Sequence, residues 1–377
     1  MKIKIISMLA IFSFFSFLSA KAEIKAKTLK SPETPLYGTL NLELSPPLII
    51  GSEKDDHYFF TSLREIKVDK EGRIYALDYK TARIQVYDIN GKYISTIGGK
   101  GQGPGEFFVP YNLFIDEKGN IYVSDTMTRK ITVFAESWTY KESISLNELA
   151  PGKFSVDKEG YILFNSVTFN SEGNMNINFN KLNPKEKTKK QFVSVLFLKP
   201  IRDGSIEIIY GHPYQQNIYF SLLGNGNIVL VKSLEPTIYY FSGEGEILMK
   251  VLKEEKSERI TKQEKEKVFS ESFERMRKEL HDKVYFPENR PVYSSLLVDD
   301  ENRIYLEKFK PINDESSNYL YYVFNEKGKY LYNLVLSFRI ECINKDFVYT
   351  IKIDEDSGET NLLRFQIKNW EQIKKGI

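Results

Sequence analysis

Two stretches of this chain match each other at a fixed offset of 47 residues, and that repeat restricts the fold more than any other feature. The first runs Val68-Asp69-Lys70-Glu71-Gly72-Arg73-Ile74-Tyr75-Ala76-Leu77-Asp78 and resumes at Arg83-Ile84-Gln85-Val86-Tyr87. The second runs Ile115-Asp116-Glu117-Lys118-Gly119-Asn120-Ile121-Tyr122-Val123-Ser124-Asp125 and resumes at Lys130-Ile131-Thr132-Val133-Phe134. Asp69/Asp116, Gly72/Gly119, Tyr75/Tyr122, Asp78/Asp125 and Ile84/Ile131 keep the same separation. A period of about 40 to 50 residues built from short alternating strands is the signature of propeller blades, each of which buries its faces only against its neighbours.

Each clear repeat divides into four strands. In the first these are Glu65–Asp69, Arg73–Asp78, Arg83–Asp88 and Lys92–Gly98. The turns Asp69-Lys70-Glu71-Gly72 and Ile89-Asn90-Gly91 end on glycine, which accepts the positive φ that such turns need. Looser copies follow at Val156–Ile162, Leu223–Ile228 and Val298–Tyr305, the last with Asn302 where glycine stood, and Tyr322–Tyr330 continues that unit. The final unit offers only Ile340–Ile343, Phe347–Ile353 and Asn361–Ile367, while the alternating segment Thr39–Leu44 precedes the first repeat with no unit of its own. The expectation is therefore an all-β, six-bladed β-propeller over residues 23–377, with Thr39–Leu44 completing the last blade and removing an open edge.

Residues 257–283 break the pattern. Phe269, Phe273, Met276 and Leu280 fall on one helical face, which predicts an inserted helix. Its stripe either packs on the propeller or is offered to a partner protein.

Lys2 and Lys4, the apolar run Ile5 to Leu18 and Ala20-Lys21-Ala22 form a signal-peptide pattern over residues 1–22. The apolar run is too short for a transmembrane anchor, so the product is expected to be exported, periplasmic or extracellular, with no membrane anchor after cleavage. Removing Lys2, Lys4 and Lys21 from 53 basic residues leaves 50 against 51 acidic ones, a net charge of −1. That balance provides no footprint for nucleic acid. Cys342 is the only cysteine, so neither an intrachain disulfide nor a cysteine-based zinc site can form.

The segment Gly101-Gln102-Gly103-Pro104-Gly105-Glu106-Phe107, with Pro110 and then Asp116 to Phe134, resembles the NHL repeat. So do the pairs Asp78 with Arg83 and Asp125 with Lys130, and the likeness spans residues 64–135 before it fades. Taken whole, the chain is similar to bacterial exported six-bladed propellers related to NHL proteins. The resemblance implies a ring with a central channel and binding on one face. Some relatives bind protein or RNA; others are metal-dependent lyases or lactonases.

The Asp–basic pairs either line a site or tie the second strand to the third. The loop Gly98–Gly105 lies between strands and not ahead of a helix, so it reads as an interblade crossover and not a phosphate loop. His57, His212 and His281 are scattered, and no set of equivalent positions offers a ring of oxygen ligands; no cofactor is predicted, with calcium or zinc as the alternative. Residues just before the innermost strands should converge at the channel mouth. Arg64 corresponds to Tyr111 by the repeat register, with Asn112 beside it, and His212, Tyr214, Arg290 and Tyr293 approach the fourth and fifth blades. These side chains present stacking surfaces and directional hydrogen bonds, which suit a protein, peptide or glycan, or else they pack between blades. The leading expectation is non-catalytic recognition at this mouth; a metal-dependent lyase, lactonase or hydrolase using the same face is the alternative.

Overall fold

The computed structural model describes residues 26–146, 153–198, 201–203, 206–208, 212–256, 258–272, 284–354 and 358–374. The signal-peptide pattern lies outside these residues. Six antiparallel sheets follow one another along the chain and close into a propeller, as the repeat predicts. Blade one holds Leu63–Val68, Ile74–Asp78, Arg83–Tyr87 and Tyr93–Gly98; blade two holds Pro110–Ile115, Ile121–Asp125, Lys130–Phe134 and Tyr140–Ser145. Blade three (Phe154–Val156, Ile162–Phe169, Met175–Asn183, Thr188–Leu198) has longer outer strands and is followed by a small hairpin, Ile201–Asp203 with Ile206–Ile208. Blades four and five begin at Ile218–Leu222 and Tyr293–Val298, and end at Ile247–Lys253 and Tyr330–Leu336.

The last blade contains Cys342–Asn344, Phe347–Ile353 and Thr360–Gln366, and its fourth strand does come from the N-terminal side. The closing strand is Leu48–Ile50, however, paired through Leu362↔Ile50 and Arg364↔Leu48. Of the expected Thr39–Leu44, Leu44 meets that blade in an isolated bridge to Ile367, and the Glu43 carbonyl accepts the Lys368 N–H at 2.7 Å, but the segment forms no strand of it. Thr39–Leu40 instead lies parallel to the outer strand of blade five, and Lys27–Ser31 lies parallel to that of blade four. The segment thus covers the exposed edges of two blades before it closes a third, and unpaired edges are where sheets aggregate.

The blades are held by apolar faces. Between blades one and two, Tyr75, Leu77, Ile84 and Val86 pack on Phe107, Leu113, Ile121 and Val123. Each such side chain contributes about 1.5–3 kcal/mol when fully buried. The turn at the far end of the innermost strand is fixed by its own aspartate in blades one, two, three and five. Asp69 Oδ1 accepts the N–H groups of Glu71 (3.1 Å) and Arg73 (2.9 Å), and Asp299 Oδ1 those of Glu301 (3.1 Å) and Arg303 (2.8 Å). Gly72 has φ +85° and Asn302 has φ +62°, so asparagine does serve where glycine stood.

The Asp–basic pairs correct an expectation. Asp78↔Arg83 and Asp125↔Lys130 are cross-strand neighbours, but their side chains do not bind each other. Asp125 accepts four backbone N–H groups: Phe108 (2.6 Å), Val109 (2.9 Å), Met127 (3.1 Å) and Thr128 (2.9 Å). Asp78 does the same for Thr61, Ser62, Lys80 and Thr81. Each carboxylate staples the incoming interblade chain to the turn between the second and third strands. Arg83 instead donates to the carbonyls of Asp56 and Phe59.

The helix Lys262–Ser272 interrupts the connection from blade four to blade five. Thr261 caps it: Glu264 N–H donates to Thr261 Oγ1 at 3.2 Å, and Thr261 N–H returns to Glu264 Oε2 at 2.8 Å. Val268 and Phe269 pack it against Tyr214, Val284, Phe286 and Phe309 of the propeller. The rest of the predicted stripe, Phe273, Met276 and Leu280, lies outside the described residues, as does His281.

Candidate functional site

Arg64 and Tyr111 stand side by side at the start of the innermost strands of blades one and two. The Arg64 guanidinium carbon lies 3.5 Å from the centroid of the Tyr111 ring, and its Nε donates to the Tyr111 carbonyl at 3.2 Å. Arg64 is exposed and Tyr111 half-buried. A stacked cation–ring pair facing solvent offers one flat surface and spare N–H donors.

The innermost strands of the six blades surround the central shaft. The innermost strands of blades one to five end at Val68, Ile115, Val156, Leu222 and Val298, each paired with the isoleucine that opens the second strand. Three residues before those ends stand Glu65, Asn112, Lys153, Tyr219 and Ser295, register equivalents of one another. Asn112 Nδ2 donates to Glu65 Oε2 at 2.8 Å, and its Oδ1 accepts the Phe154 N–H at 3.2 Å, so Asn112 links three consecutive blades. Lys153 reaches from blade three past blade four to donate to the Leu296 carbonyl of blade five at 3.1 Å. Blade six adds Arg339 and Glu341 just ahead of its innermost strand. The ring is a mixture of acid, amide, amine, phenol and hydroxyl groups, not a set of like oxygen ligands. Its signal was present in the sequence: each member stands four residues before the residue that opens the turn, at Asp69, Asp116, Asp157, Leu223 and Asp299.

His212, Tyr214 and Arg290 come together, around the inserted helix. Arg290 Nε and Nη2 grip Glu264 Oε1 and Oε2 at 2.8 and 2.9 Å, and the Tyr214 hydroxyl donates to Glu264 Oε1 at 2.8 Å. Glu264 is fully buried; the bonds from Arg290, Thr261 and Tyr214 outweigh burial and hold its carboxyl down to about 2. His212 stacks on Phe286 at 4.1 Å and its Nε2 lies 2.8 Å from the Tyr285 carbonyl, while burial pulls its imidazole below the usual value. Tyr293 is fully buried in the core between blades four and five. The structure thus places Arg64, Tyr111 and Asn112 along the innermost strands, His212, Tyr214 and Arg290 at the seat of the insertion, and Tyr293 in the core between two blades.

A cleft of about 1460 Å³ opens at the opposite end of the sheets, among the turns that carry Asp69, Asp116, Asp157 and Gly224, and along Lys141–Leu146. Three of those aspartates are occupied by N–H groups of their own turns. Lys158 and Glu159 are 63% and 53% exposed, hence well hydrated. Among the described residues no group of three or more His, Cys, Asp or Glu side chains is arranged to hold a metal ion. Among the same residues no helix is long and apolar enough to cross a membrane.

A family model described as DUF5128, 6-bladed beta-propeller, matches residues 52–331. No protein of curated function matches the sequence. Among solved structures, a Bacteroides fragilis protein described as exported is 15% identical, with 90% of this chain and 99% of that one covered and a TM-score of 0.55. A DUF4221 family member from Bacteroides vulgatus is 10% identical, with 87% and 98% covered and a TM-score of 0.51. A Xanthomonas campestris gluconolactonase is 10% identical, with 89% and 98% covered and a TM-score of 0.47. At these identities the first two likenesses speak for the fold alone, and the third carries no argument.

Proposed function

We propose that this chain, which belongs to the DUF5128 family of six-bladed β-propellers, is an exported recognition module that binds a peptide, glycan or protein partner at the mouth marked by Arg64 and Tyr111. One observation carries the reading. An exposed guanidinium lies over an aromatic ring at the start of two innermost strands, next in sequence to Glu65 and Asn112, whose side chains bond each other across the same two blades. Stacking surfaces with directional donors suit sugar rings and peptide planes. The signal-peptide pattern and the NHL-like repeat support export and a binding platform.

The test is a peptide and glycan array probed with labelled protein and with the Arg64→Ala/Tyr111→Ala double variant. Signals that vanish in a folded double variant support the reading. An array on which the double variant keeps every signal overturns it.

A further inference from the structure

We propose that the outer edge of blade two is a second binding site, separate from Arg64 and Tyr111, which takes an acidic, extended segment of a partner protein as an added strand. The chain already uses this mode of pairing on itself. Lys27–Ser31 adds in parallel to the outer strand of blade four, from Lys27↔Met249 to Ser31↔Lys253, and Thr39–Leu40 adds in parallel to that of blade five. Tyr140–Ser145, the outer strand of blade two, has no such cover among the described residues. The ladder defines its open side. The Leu146 N–H donates to the Arg129 carbonyl at 2.8 Å, and Ile144 and Glu142 stand opposite Ile131 and Val133 in the same phase. In an antiparallel ladder the alternate residues turn their backbone away, so Ser143 and Ser145 aim N–H and C=O groups outward. Unpaired groups of this kind template an added strand.

The cleft of about 1460 Å³ follows this edge over Lys141–Leu146 and is bounded on its other side by blade three. Its floor is apolar: Phe114, Ile144 and Leu182 stay half-buried where they pack on the core between the two blades. Its rim is basic. Lys141, Lys185, Lys187 and Lys189 stand exposed on these two walls, against one carboxylate, Glu142. Asn183 Oδ1 accepts the N–H groups of Lys185 and Glu186 at 3.0 and 3.2 Å, which fixes the turn that displays the lysines of blade three. Among the described residues no ion pair reaches Lys141, Lys185 or Lys187. A strand of about six residues spans the edge, and its side chains alternate between two faces. Apolar residues on one face then meet the floor, and acidic residues on the other meet the rim. Charge also chooses between occupants. The strand a second copy could donate, Lys27–Ser31, carries two lysines and would add like charge to this rim.

The probe is a fluorescein-labelled, end-blocked heptapeptide that alternates glutamate with valine, titrated against the folded full chain by fluorescence anisotropy. It should bind at about 50 mM salt and weaken as salt rises, because the rim is exposed. The same peptide with every backbone nitrogen methylated keeps its charge but cannot pair as a strand, and should lose binding. Ser143→Pro removes an outward N–H that the sheet does not use, a change edge strands tolerate, and should lose binding too. Lys141→Glu/Lys185→Glu alters only exposed side chains and should weaken binding about tenfold. It decides the matter alone if Ser143→Pro does not fold. No binding by wild type, equal binding of the methylated peptide or of a lysine–valine heptapeptide, or unchanged binding by Lys141→Glu/Lys185→Glu overturns the site. Tighter binding of a peptide copying Lys27–Ser31 also overturns it, in favour of a second copy. Loss of binding in a folded Arg64→Ala/Tyr111→Ala variant would move the peptide to the mouth and overturn this site while leaving the recognition reading in place.

Discussion

The Arg64 guanidinium carbon sits 3.5 Å over the Tyr111 ring while its Nε donates to the carbonyl of that same residue, so one side chain joins two blades. The contact is exposed on the arginine side, and exposed cation–π pairs contribute only about 0.5–1 kcal/mol. A double-mutant cycle in chemical denaturation should therefore give a coupling in that range, with each single alanine variant still folded. A coupling above about 2 kcal/mol would make the pair a brace between blades and remove it as a ligand surface.

Asp125 and Lys130 are cross-strand neighbours with unequal work. Asp125→Ala orphans four N–H groups and should cost about 2–4 kcal/mol, whereas Lys130→Ala should stay within about 0.5 kcal/mol. The N–H groups of Thr128, Val109 and Phe108 overcome burial and hold the Asp125 carboxyl below its usual value. Its contribution is thus fully present above the ordinary aspartate pKa of about 3.9 and is lost as pH falls through the lower folded value. Urea midpoints of both variants across the acid range check this. Equal losses from Asp125→Ala and Lys130→Ala would restore the direct pair.

Much of the fold was legible because the repeat unit is local. The Asp-x-x-Gly turn bonds its own backbone within four residues, so Asp69 and Asp116 announce each blade without reference to distant chain. Closure was less so: Thr39–Leu44 alternates in the manner of a half-buried strand, while Leu48-Ile49-Ile50 follows two prolines and reads as a continuous apolar run. The site was legible only in part. Asn112 lies in the shaft ring because it obeys the 47-residue register with Glu65. Tyr214 and Arg290 do not follow any register; they meet at Glu264, 50 and 26 residues away, and spacing along a chain says nothing about such a meeting.

Glu264 is the keystone of the insertion, since it caps its own helix and receives both Arg290 and Tyr214. Glu264→Gln leaves Arg290 without its buried counter-charge and should cost about 3–5 kcal/mol locally. Limited proteolysis should then cut within the insertion while the blades persist. The native bond is complete above the ordinary glutamate pKa of roughly 4.3 and fails as pH falls toward about 2. Cleavage of wild type by an acid-active protease should accordingly rise over that interval. Resistance of Glu264→Gln equal to wild type would show that apolar packing by Val268 and Phe269 suffices.

Closure of the ring depends on three residues. A chain starting at Glu43 loses Lys27–Ser31 and Thr39–Leu40 but keeps Leu48–Ile50, the fourth strand of blade six. A chain starting at Ser52 loses that strand too, and with it Ile50, which is 1% exposed and packed in the core with Tyr349 and Leu362. The second truncation uncovers the full edge of Thr360–Gln366. Burial of Ile50 alone contributes about 1.5–3 kcal/mol, so the chain starting at Ser52 should melt about 5 °C below the one starting at Glu43. The bare edge should also drive self-association, visible by gel filtration as concentration-dependent early elution. Equal melting midpoints and a monomeric profile for both chains would mean that the ring holds without its closing strand.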